Sequence, residues 1–354
     1  MSVDADSLNA IARECVAMLP TALPQEPSTG RSSHTEAEYL RMAQVLLQRA
    51  QFTPGGLAAA VQKTQSPRTF HKRLAALRFY CRQLVTDCLE VRSASRSLDW
   101  HRLADVLPRL HEQLCALITL KQQGMTQPRR KRRSKRQALR GLPPTWREDL
   151  CERGTSGKYA DALLVSALTG ARPGEVVKGI VAWLQYDEEL GIETLCLYTP
   201  GIKVKAQQGQ PFRFMAYAVD DTHPLVAALL KRLDTQPDRK LHIQISKAGN
   251  FTAEIQRLGR KLWRDHTHAI TATCFRHQWS ADVKAADDAD AASRGLGHRS
   301  AKTRKYYGTA HQARGGHALR PVRIETDMPV RALPIRAQPN TQVRIDSKHV
   351  GGMG

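Results

Sequence analysis

The chain has 354 residues, 41% of them hydrophobic and 25% charged, an ordinary balance for a folded protein of about two domains. Lys and Arg outnumber Asp and Glu by 54 to 33, giving a formal charge of +21. A surplus of this size argues against an ordinary small-metabolite enzyme. It points to a polyanionic partner, nucleic acid ahead of an anionic membrane surface. No segment approaches the roughly 20 apolar residues that span a bilayer, and the opening MSVDADSLNAIAREC lacks the basic-then-apolar order of a secretory signal. The seven cysteines are scattered, with no CxxC pair. They are expected to be reduced, mostly buried thiols in a cytoplasmic protein rather than a zinc site or a disulfide frame. No Walker A loop and no GxGxxG run occurs, so ATP and dinucleotides are not expected; no cofactor and no metal is predicted.

In chain order, residues 1–32 read as a flexible lead-in. A capping box at Ser33 and Glu36 is expected to open a helix carrying Tyr39, Met42, Ala43, Leu46 and Leu47. Ser66-Pro67 opens the next, as a cap with Pro at the first helical position. Its apolar face runs through Phe70, Leu74, Leu77, Cys81, Leu84 and Cys88. Its other face carries Arg68, Lys72, Arg73, Arg78 and Arg82, which read as either a phosphate-tracking surface or a merely solvated one. A further helix is predicted over 98–120, kinked or broken near Pro108. Residues 33–125 thus form an expected helical domain.

RRKRRSKR, residues 129–136, follows. Arg129, Arg130, Lys131, Arg132, Arg133, Lys135 and Arg136 repel one another too strongly to build a core. The segment 126–141 is therefore predicted to be a basic linker or arm touching DNA. The second domain, 142–315, is expected to be mixed. Helices are predicted over 144–153 and 157–169, the latter stopped by Gly170. Strands are predicted at 180–186, 193–198 and 211–219, the last two flanking a lysine-bearing turn, GIKVKAQQGQ. Helices return over 223–233 and 250–265, with short pieces from 270 to 308. The tail, 316–354, lacks periodicity; it is read as docking elsewhere through a short strand or helix, or else as disordered. Asp282, Asp287, Asp288 and Asp290 read as a solvated helix end rather than a metal cluster.

Three segments carry the chemistry: ALTGARPGEV with Arg172 and Glu175, TCFRHQWSADV with Arg276 and His277, and GLGHRSAKTRKYYG with His298 and the Tyr306-Tyr307 pair. Each alone is weak. In this order and at these spacings the chain resembles the tyrosine recombinase, or phage integrase, family of site-specific DNA recombinases. The resemblance covers about residues 35–310; it is specific in the second half and only architectural in the first. It implies a fold that is mainly α with a small antiparallel sheet: a helical core-binding bundle, then an α+β catalytic domain. It assigns Arg172 and Arg276 as catalytic arginines, Glu175 as a supporting acid and His298 as the LGH histidine. The nucleophile lies nine positions after that histidine, which selects Tyr307. The catalytic lysine of the hairpin is assigned to Lys205, with Lys203 as the alternative.

These residue types suit the reaction. Forked, permanently charged guanidiniums bind the oxygens of a phosphodiester and of its transition state. A phenol attacks phosphorus to give a covalent phosphotyrosine, a lysine protonates the leaving 5′ oxygen, and no ATP is required. The resemblance further implies duplex DNA as partner, a homotetramer on two DNA sites, accessory DNA-bending proteins, no membrane, and a tail exchanged with the neighbouring protomer. One departure stands out: Thr273 occupies the place where the family usually has a His. His277, one helical turn on, either leans toward that gap or only orients Arg276. The departure keeps two other readings open, a DNA-binding protein with this fold and impaired catalysis, and a type IB-like topoisomerase.

Overall fold

The computed structural model describes residues 5–25, 31–94, 100–130, 135–204, 208–220, 223–286, 289–313 and 318–332. Arrangement into two compact units, Met1–Arg132 and Arg133–Gly354, divides the chain within the arginine-rich run. The described structure is mainly helical with one five-stranded antiparallel sheet, and no described helix is long and apolar enough to cross a membrane.

The first unit contains α1 (Ala5–Ala22), α2 (Ser33–Gln51), α3 (Gly56–Gln62), α4 (Pro67–Ala94) and α5 (Trp100–Gln123). Leu46, Val61, Phe70, Leu77, Leu114 and Leu117 fill its core; burying each such side chain contributes about 1.5–3 kcal/mol. Within the expected lead-in, Ala5–Ala22 is a helix. In α1, Leu8, Cys15 and Ala22 are buried, and Ile11, Met18 and Leu19 pack beside them. This stripe has helical spacing, but the early acids and Pro20 obscure it. The cap of α2 lies one residue earlier than expected: Ser32, not Ser33, accepts from the Thr35 amide. Ser66 caps α4 as expected, accepting from the Thr69 amide. Pro108 sits inside a continuous α5.

The second unit begins in the predicted linker. Residues Lys135–Leu139 form a 3-10 helix, and Ala138, Leu139 and Leu142 belong to the main core. Ala138 and Leu139 within the segment, with Leu142 just after it, outweigh the charges before them. Next come α6 (Trp146–Arg153), α7 (Ala160–Thr169), α8 (Pro173–Lys178), β1 (Ile180–Asp187), β2 (Ile192–Pro200), β3 (Phe212–Ala218), α9 (Pro224–Leu233), β4 (Lys240–Ile243), α10 (Ala248–Leu262), α11 (Ala272–Ala285), α12 (Ala289–Gly295) and β5 (Arg323–Thr326). The strand order is β4-β1-β2-β3-β5. Ile180, Ala182, Leu195, Leu197, Met215 and Tyr217 project from one sheet face into the core, as the period of two requires. On the other face the Trp183 and Phe214 rings lie 5.8 Å apart.

Part of the tail forms the short docking strand that was one of the outcomes its sequence left open. Its β5 pairs antiparallel with β3 of the same chain, Met215 opposite Ile324, and Leu319 is fully buried. Residues 318–332 are thus built into this chain's own second unit; residues 333–354 lie outside the described residues. Asp282 is not solvated either. It is fully buried, 2.9 Å from Arg147, and it also accepts from Gln278 and from the Leu319 amide. Asp287 and Asp288 lie outside the described residues.

Candidate active site

Gly170 sets the first wall of the site. It ends α7 with φ +59°, and a Cβ there would stand 3.2 Å from the Cα of Arg276. Only glycine meets both demands without strain. The Gly170 carbonyl in turn accepts from the Arg276 guanidinium at 2.9 Å. Two residues later Arg172 caps α8, with Pro173 at the first helical position and Glu175 accepting from the Arg172 amide at 2.8 Å.

Glu175 is the electrostatic hub. Its carboxylate takes the Arg172 guanidinium at 2.7 Å and the Arg213 guanidinium at 2.8 Å. Glu175 and Arg213 are each about 1% exposed, whereas Arg172 retains 28%. Arg172 is therefore anchored from behind while part of its fork faces outward. Burial alone would raise the Glu175 pKa; Arg213, Arg276 and Arg172 hold it at about 2. Arg213 was not singled out from sequence. It stands at an inward position of β3, in register with core residues Met215 and Tyr217. An arginine on the buried parity of a strand signals a buried acid partner.

Arg276 lies on α11 and is 2% exposed. It donates to the carbonyls of Gly170 and Leu296, and its guanidinium stands 3.3 Å from His298 Nε2. Desolvation, then the Arg172 charge, lowers its pKa to about 9, so it stays protonated at neutral pH. His298 follows α12 and is 5% exposed. Burial first, then Arg276, Arg172 and Arg213, push its pKa down to about 2. The imidazole is therefore neutral. His298 Nδ1 and Arg276 Nε make no hydrogen bond among the described residues.

Tyr307 completes the cluster. Its ring centroid lies 5.2 Å from that of His298 and 5.4 Å from that of His277, and the Arg276 guanidinium carbon is 4.9 Å from the ring centre. Burial would raise the phenol pKa, but the charges of Arg276 and Arg172 outweigh it and lower the value below the ordinary one. Gly308 permits the approach: a Cβ there would collide with the His277 carbonyl. Tyr306 is 60% exposed and turns away, with Lys305 over its ring. Three guanidiniums against one carboxylate leave two formal positive charges around a phenol and a neutral imidazole. Such a centre binds an oxyanion and favours a phenolate beside it.

The structure thus brings Arg172, Glu175, Arg276, His277, His298 and Tyr307 together. Thr273 is half-buried on α11, one turn before His277. Lys205 lies outside the described residues; Lys203, with φ +59°, lines a cleft of about 450 Å3 that also holds Arg172 and His298. Gln210, missed from sequence, is 2% exposed behind the site; its amide NH2 donates to the His298 carbonyl at 3.3 Å.

The predicted DNA-contacting positions divide. Arg68, Arg129 and Arg130 are exposed. Lys72 is paired with Glu38. Arg73 donates to the carbonyls of Ala60, Val61 and Lys63, so it satisfies the end of α3 instead of presenting a free phosphate contact. Arg82 likewise donates to the Pro24 carbonyl. Arg136 is half-buried on the 3-10 helix, which also includes Lys135. Lys131, Arg132 and Arg133 lie outside the described residues. No group of His, Cys, Asp and Glu able to hold a metal occurs among the described residues.

No family model, curated protein or solved structure matches the chain.

Proposed function

We propose that this protein is a site-specific DNA recombinase of the tyrosine type, which breaks and rejoins duplex DNA through a covalent 3′-phosphotyrosyl intermediate. The observation that carries the reading is the convergence of Arg172, Arg276 and His298 on the Tyr307 ring. The Tyr307 oxygen attacks the scissile phosphorus, and the P–O bond to the 5′ oxygen breaks. A proton from a hairpin lysine, Lys205 or Lys203, neutralises that leaving oxygen. A 5′ hydroxyl of the second strand then attacks the phosphotyrosine and returns the phenol, so two transesterifications conserve the bond energy. Arg172 and Arg276 neutralise charge on the non-bridging oxygens. Neutral His298 donates a hydrogen bond to one of them.

Supporting the choice of duplex DNA is the +21 charge together with the exposed Arg68, Arg129 and Arg130. The resemblance adds a tetramer on two DNA sites, accessory DNA-bending proteins and a cytoplasmic, nucleoid-associated location. Thr273 favours a second reading, a DNA-binding protein of the same fold with impaired cleavage, since a threonine hydroxyl is no general base at neutral pH. Incubating the protein with nicked genomic fragments and trapping a protein–DNA adduct tests the first reading. Thr273→His separates the two: faster adduct formation marks a missing base, and an unchanged rate marks a site complete without one.

A further inference from the structure

We propose that the cleft lined by Arg172 and His298 contains a second phosphate subsite, where Arg331 and Arg299 hold the phosphodiester next to the one being cleaved. This inference rests on the reading of the site as a DNA strand transferase. The 450 Å3 cleft is many times the roughly 30 Å3 that one water occupies, so it offers more room than one phosphate group needs. Beyond Arg172 and His298 its lining includes Lys203, Arg299, Thr303 and Arg331, and among the described residues no carboxylate lines it. A basic wall of this kind fits a strand whose phosphates continue in both directions from the reacting one.

Arg331 reaches the cleft from the far end of the described chain, and its backbone is fixed there from two sides. Gln210 clamps Met328 reciprocally: its NH2 donates to the Met328 carbonyl at 2.6 Å, and its carbonyl accepts from the Met328 amide at 3.0 Å. The same Gln210 holds the His298 loop through the Gly297 carbonyl at 3.1 Å. Three residues after Met328, Arg331 forms a parallel bridge with Ser300. Its amide donates to the Arg299 carbonyl at 3.1 Å, and its carbonyl accepts from the Ala301 amide at 3.0 Å. One buried amide thus ties the segment carrying Arg331 to the segment carrying His298. The Arg331 residue itself stays exposed. The Arg331 Nε also donates to the Arg299 carbonyl at 3.4 Å, so backbone and guanidinium are both oriented, and Arg331 and Arg299 line the same cleft as His298.

Salt dependence of binding tests this without relying on catalysis. Full-length protein carrying Tyr307→Phe is titrated with a random-sequence duplex oligonucleotide at several salt concentrations. Arg331→Gln should reduce the slope of log K against log salt by about one phosphate contact, and Arg331→Lys should retain it. An unchanged slope in Arg331→Gln, or no duplex binding by the parent, overturns the subsite. A parent that binds with a steep slope, while protein retaining Tyr307 never forms an adduct on nicked fragments, removes the strand-transfer reading and leaves the subsite standing as a backbone contact. On a substrate located by adduct trapping, a methylphosphonate next to the cleaved phosphate should abolish the difference between wild type and Arg331→Gln. A penalty for Arg331→Gln that is equal on both substrates refutes the assignment to that phosphate.

Discussion

The guanidinium of Arg276 stands 3.3 Å from Nε2 of His298, with both side chains almost completely buried. A protonated imidazole there would face a fixed positive charge out of water, so the pair holds together only with the histidine neutral.

His298 should therefore not titrate in the free protein between about pH 5 and 8. Its folded pKa, about 2, lies below the ordinary histidine value. The stability it contributes is present above about pH 6.5. That contribution is lost as pH falls toward the folded value, because the unfolded chain takes up the proton first. Histidine side-chain NMR checks this; a His298 midpoint near the ordinary value would contradict the arrangement.

Glu175 should behave as a buried acid shared by two arginines. Glu175→Gln leaves Arg213 buried without its counter-charge, which costs about 3–5 kcal/mol when one partner of such a pair is removed. Arg213→Met should cost less than Glu175→Gln while still loosening Arg172. Denaturant unfolding of both variants gives the comparison. For the wild type, the pKa near 2 means that this contribution is complete above about pH 4.5. It falls away as pH drops through the folded value.

Arg73→Ala should destabilise the first unit by about 1–3 kcal/mol, because it strips a partner from carbonyls at the end of α3. If Arg73 were only a phosphate contact, thermal unfolding would not change and DNA affinity alone would fall.

Much of the site was legible in the sequence. Arg172, Glu175, Arg276, His298 and Tyr307 stand in three short motifs, and the structure gathers them around one phenol. The spacing from His298 chose Tyr307 over Tyr306, and in the structure Tyr307 lies against His298 while Tyr306 faces outward. Arg213 was written less openly, as one charge on the inward parity of β3. Gln210 left no pattern, since its partners at Gly297, His298 and Met328 are remote in sequence. Charge misled at Lys72 and Arg73. A basic stripe on a helix looks the same in sequence whether it meets phosphate, a neighbouring acid or a carbonyl. In α1 the stripe was present and its neighbours hid it. β5 is four residues long and becomes a strand through pairing with β3, a long-range contact that local sequence does not carry.

Tyr307 should titrate below the ordinary tyrosine range, because Arg276 and Arg172 stabilise its phenolate. Subtracting the tyrosinate absorbance of Tyr307→Phe from that of wild type isolates it. Arg172→Gln should move the midpoint upward, and an unmoved midpoint would show that Arg172 does not act on the phenol.

The most direct test of the account is where DNA becomes attached. Wild-type protein is incubated with nicked duplex fragments, denatured and digested, and the peptide bearing the nucleotide is identified. The account predicts a phosphotyrosyl link at Tyr307, lost in Tyr307→Phe with duplex binding retained, and reduced about a hundredfold or more in Arg172→Ala or Arg276→Ala. A link at Tyr306, or an adduct that survives Tyr307→Phe, would contradict it.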